Sequence, residues 1–177
     1  ISETGERMDV PSPMFDTRGL STNRRITAIR KKGTGFGNII YGLFRADTLR
    51  RAGVFRSFLV PDTLLLWQLT LNGEIAQINE ELWFRRFKAP LDIKRQKRNI
   101  YRKPPWYAHL PWPLVNTVVL AWNTVFSPRA GGPIKRLLGT RLSMMHLRRY
   151  AFKMDRDYPM IDRWLLAPLR KVLIFGR

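Results

Sequence analysis

Several groups of residues in this sequence have the type and spacing to do chemistry. Asp62, in Pro61-Asp-Thr-Leu-Leu-Leu-Trp67, stands at the mouth of an expected helix. A carboxylate there can cap the amides of Thr63 to Leu65, or it can accept the proton of a substrate hydroxyl. Arg85 and Arg86 follow the apolar triplet Leu82-Trp83-Phe84. Two adjacent guanidinium groups can guard a strand edge against pairing, or they can clamp a diphosphate. The run Gly33-Thr-Gly-Phe-Gly37 lacks the lysine and hydroxyl of a phosphate loop. It also precedes an apolar run, whereas a dinucleotide fingerprint follows a strand, so a flexible connection is its expected role. His109 and His146 lie 37 positions apart and the chain has no cysteine. Disulfides, thiolate nucleophiles and a sequence-local metal cluster are therefore excluded, and both histidines are expected as surface or hydrogen-bonded structural residues.

The segment Lys94–Lys103, KRQKRNIYRK, followed by Trp106, Tyr107 and Trp112, mixes cations with aromatics. Such a mixture suits a single-stranded nucleic acid, and it equally suits a membrane interface. The charge has the same two readings. The 177 residues carry a net charge of +19, which predicts a polyanionic partner. It is unevenly placed: residues 1–90 hold 14 basic and 9 acidic side chains, residues 91–177 hold 18 and 4. An apolar fraction of 45% excludes a disordered basic tail, and the length can bury a real core.

The elements that must position these groups divide near Pro90. Before it, Arg24–Lys32 reads as a short helix with Ile26 and Ile29 on one side. Asn38–Phe44, apolar and β-branched, reads as a buried strand. Arg45–Gly53 reads as a helix begun by Asp47 and ended by Gly53, and Thr63–Asn72 as a helix that buries Leu65, Leu66 and Leu69. Glu74–Asn79 and Glu81–Phe87 complete the half as strands. After Pro90 the pattern is helical over Leu91–Arg102, Leu114–Phe126, Pro133–Lys153 and Ile161–Phe175. The apolar stretch Leu114–Phe126 is too short to span a bilayer and reads as a packed or interfacial helix.

The order of segments from Asn38 to Phe87 resembles the C-terminal part of the catalytic domain of family 2 glycosyltransferases, which have the GT-A fold. The residues that carry the resemblance are NIIYGLFRADTLRRAG, then PDTLLLWQLTLNG, then INEELWFRRF. It covers about residues 20–90. It implies an α/β fold class: an incomplete GT-A-like mixed sheet over residues 1–90, followed by a basic α-helical region over residues 91–177. It also implies that Asp62 is the catalytic base of an inverting transfer, and that Arg85, Arg86 and Trp83 bind substrate. Pro61 stands where many members have a second acidic residue, and Phe87-Lys88 where many continue with histidine. The partners implied are a nucleotide-sugar donor and a glycan or lipid-linked acceptor. A divalent metal, Mg or Mn, belongs to the parent enzyme, on an Asp-x-Asp motif that does not precede this pattern here. Asp155-Arg-Asp157 has the letters but follows Asp62 in the chain.

The expectation is therefore a glycosyltransferase fragment that starts at Ile1 without its nucleotide-binding half and is inactive alone. Its expected location is cytoplasmic, with the basic region on an anionic membrane face. The competing expectation is a basic nucleic-acid-binding module of the ribosome-associated type.

Overall fold

A computed structural model describes residues 15–31, 36–54, 57–80 and 93–157. They group into two compact units, one within 1–104 and the other within 105–177.

In the first unit, α1 (Thr22–Lys31) buries Ile26 and Ile29, the two residues three apart that its sequence marks as one face. The helix α2 (Ala46–Ala52) stops in a Schellman turn: Gly53 lies at φ 92°, its N–H donates to Arg50 O, and the Val54 N–H donates to Leu49 O at 3.3 Å. Asp47 is not the cap of α2. Arg45 holds that position, and Asp47 sits in the first turn with an ion pair to Arg51 at 2.8 Å.

The helix α3 (Pro61–Asn72) is the centre of this unit, with Leu64 to Leu71 buried without a break. Leu65, Leu66 and Leu69 pack with Ala52, and Ile39, Ile40, Phe44 and Leu49 lie against them. Arg25 ties α1 to the end of α3, donating to Thr70 O, Leu20 O and Thr22 Oγ1 at 3.1, 2.8 and 2.9 Å. The helix α4 (Ile93–Ile100) falls within the same half of the chain.

The expected mixed sheet is overturned: among the described residues there is no strand. Within Asn38–Phe44 the chain forms a 3₁₀ turn, Phe36–Tyr41, that closes with Gly42 N–H donating to Ile39 O. A short apolar run satisfies a buried strand or a buried helical turn equally, and here the partner is α3 and not another strand. Glu74–Asn79 runs beside residues 15–19, but side chains take the places a ladder needs. Ile75 N–H donates to Thr17 Oγ1 at 2.7 Å, Gln77 N–H to the Asp16 carboxylate at 3.4 Å, and the Phe15 N–H to Gln77 Oε1. Thr17 N–H to Ile75 O, at 2.8 Å, is the backbone bond between the two segments. Glu81–Phe87, the third expected strand, and Ile161–Phe175, the last expected helix, lie outside the described residues.

In the second unit, α5 (Trp112–Ala121) starts with Pro113 in its first turn, where the missing N–H costs no bond. It widens into a π turn, Trp122–Phe126, closed by Ser127 N–H to Trp122 O at 2.8 Å. The chain reverses through Pro128–Ala130 and Gly131 (φ 89°) into α6 (Pro133–Asp157), which packs along α5 and the π turn. Arg136 steadies the reversal by donating to Gly131 O and Val125 O. Among the described residues no helix is long and apolar enough to cross a membrane.

Candidate functional site

Asp62 occupies the second position of α3. The cap position belongs to Val60, which makes no side-chain cap bond, and Pro61 fills the first helical position. The Asp62 side chain is half-buried and forms no hydrogen bond or ion pair with any described residue. The capping alternative for this carboxylate is therefore not used.

The approach to Asp62 is strained. Val54 and Val60 both lie in the left-handed region, at φ 49° and 54°. A β-branched residue meets its own carbonyl there and costs on the order of 1–2 kcal/mol. The segment between α2 and α3 thus has a left-handed residue at each end.

Trp83, Arg85 and Arg86 lie outside the described residues, so Asp62 is the one sequence-derived site residue with a described position. The glycine run is described only from Phe36 onwards, where the 3₁₀ turn begins. Among the described residues no three His, Asp or Glu side chains converge as a metal site.

A second polar cluster lies inside the α5–α6 pair. His146 is fully buried, and its Nδ1 stands 2.8 Å from Thr117 Oγ1. Thr117 has one proton and donates it to Pro113 O at 2.7 Å. Nδ1 therefore carries the hydrogen and donates it to Thr117. Tyr150 stacks against His146 at 4.8 Å between ring centres and against Trp112 at 5.1 Å. Burial, with the Arg149 charge nearby, pushes the imidazole from 6.5 down to about 3, so it is neutral near pH 7. This is a structural histidine, one of the two roles expected for it, whereas His109 is exposed. What the sequence reading missed is its partner; Thr117 lies 29 residues away, beyond any local spacing rule.

No protein-family model, no curated protein and no solved structure matches this chain.

Proposed function

We propose that this chain supplies the acceptor side of an inverting glycosyl transfer, with Asp62 as the general base. Asp62 takes the proton of the acceptor hydroxyl as its oxygen bonds to the anomeric carbon. The bond from that carbon to the diphosphate oxygen breaks, and the nucleoside diphosphate leaves with the electron pair. Arg85, Arg86 and Trp83 are assigned to substrate binding in this reading, the guanidinium pair toward the diphosphate.

The observation that carries the proposal is the state of Asp62. Its carboxylate is half-buried in the first turn of α3, left unused as a cap, and reached through a segment strained at Val54 and Val60. The order around it supports the same reading: an Arg-containing helix closed by Gly53, a short loop, then a helix that opens on the acid and ends at Asn72-Gly73. The mixed sheet forms no part of the proposal.

The test is transfer by the natural protein that carries these residues, followed as nucleoside diphosphate release from a panel of nucleotide sugars with lipid-linked and glycan acceptors. Asp62→Asn is expected to lower transfer by roughly 10²–10⁴-fold, the usual contribution of a general base, with unchanged helix content. Full transfer by Asp62→Asn would remove Asp62 from this role.

A further inference from the structure

The α5–α6 pair buries polar groups beside apolar ones and leaves two aromatic side chains of the π turn exposed. Along α5 and the π turn, Trp112, Asn116, Leu120 and Thr124 are buried at intervals of four. Half a turn away, Val118, Trp122 and Phe126 are 60%, 62% and 64% exposed. The wide turn keeps the last two together, with ring centres 6.3 Å apart. On α6 the inward residues include Leu142 and Met154 together with Ser143 and His146. A pair folding only to escape water would reverse this choice and bury Trp122 and Phe126. An exposed aromatic stripe of this kind marks an interaction surface.

The charge of this unit says what meets the stripe. From Pro105 to Arg177, the span of this unit, the sequence has twelve Lys or Arg against three Asp and no Glu. We propose that the Val118–Trp122–Phe126 stripe docks into the headgroup boundary of an anionic lipid bilayer. Trp122 and Phe126 enter the acyl edge while the cations of this unit draw the chain to the surface. Docking on one leaflet also agrees with there being no helix, among the described residues, long and apolar enough to cross a membrane. A nucleic acid fits less well, because Val118 beside the two rings has no base or phosphate to satisfy. A second copy fits less well too, because it would bring two strongly cationic units, each with twelve basic and three acidic side chains, against each other. This inference does not depend on the glycosyl-transfer reading.

The test is co-sedimentation of the full chain with vesicles of phosphatidylcholine and phosphatidylserine, 70:30, against pure phosphatidylcholine vesicles and against single-stranded RNA. Binding to the anionic vesicles is expected, weakened in 0.5 M salt. It should fall at least tenfold in the Trp122→Ser/Phe126→Ser double variant, whose exposed substitutions leave helix content unchanged. Several outcomes would overturn the proposal: binding within twofold of wild type by the double variant, tighter binding to RNA than to vesicles, or a dimer that the double variant converts to monomer. So would loss of binding in Ile134→Ser/Leu137→Ser, on the outward face of α6, with the aromatic variant intact.

Discussion

Gly139 of α6 approaches Thr124 of the π turn so closely that a Cβ on it would stand 2.5 Å from the Thr124 carbonyl oxygen. The obstruction is backbone, which cannot swing aside as a side chain can. Thr124 is itself fixed, its hydroxyl donating to Leu120 O at 2.8 Å. Gly139→Ala is therefore expected to destabilise the second unit by about 1–3 kcal/mol, the cost of overpacking. Gly132, where an added Cβ meets nothing within 4 Å, is the comparison. Gly132→Ala should stay within about 0.5 kcal/mol in the same urea titration.

The buried imidazole predicts a pH dependence. His146 in the folded chain takes a proton only near about 3, against 6.5 for an ordinary imidazole. Between those values the unfolded chain binds a proton that the folded chain refuses. The stability linked to His146 is thus complete above about pH 6.5 and is lost as the pH falls toward 3, with a slope of up to about 1.4 kcal/mol per pH unit. No residue of α5 or the π turn titrates, and Arg149 and Tyr150 are the groups of α6 that act on the ring. His146→Gln should show a shallower slope than wild type over this window in chemical denaturation; equal slopes would contradict the assignment.

Arg25 satisfies three acceptors with one side chain, and one of them, Thr70 O, belongs to α3. Arg25→Met keeps much of the aliphatic stem and removes the donors. It should cost the first unit roughly 1–3 kcal/mol, and the loss is read from the thermal unfolding midpoint. A change below about 0.3 kcal/mol would mean that water replaces the guanidinium at no cost.

Val54 is nearly half exposed, so its left-handed backbone is not repaid by burial of its side chain. Glycine adopts this conformation freely but loses more chain entropy on folding. Val54→Gly is expected to be stabilising by about 0.5–1 kcal/mol, the strain relieved less the entropy added. A lowered unfolding midpoint would show that the valine side chain makes a contribution larger than the strain.

Signals that act within a few residues were legible in the sequence. The Ile26 and Ile29 face of α1, the Gly53 stop of α2, the Leu65, Leu66 and Leu69 face of α3 and the start of α6 at Pro133 follow from spacing, caps and helix formers, whereas α6 runs to Asp157, past the expected end at Lys153. Asp62 was legible as the acid at a helix start, although Val60 and not Asp62 takes the cap. The two strands expected at Asn38–Phe44 and Glu74–Asn79 were misread because a strand exists only through its partner. For the first the partner is a helix, and for the second it is the hydroxyl of Thr17 and the carboxylate of Asp16, about 60 residues earlier.

The sequence by itself determined the cationic bias, the absence of cysteine chemistry, the helix stops and the apolar content of α5. Only the tertiary structure decided which face of α5 is buried. Trp112, Asn116, Leu120 and Thr124 compete with Val118, Trp122 and Phe126 at the same helical spacing, and by apolarity alone the second set belongs inside. The first set faces inward because α6 brings His146 to Thr117 and Gly139 to Thr124. A hydrogen bond and a close backbone approach between helices depend on residues brought together by the fold, and no local pattern encodes them.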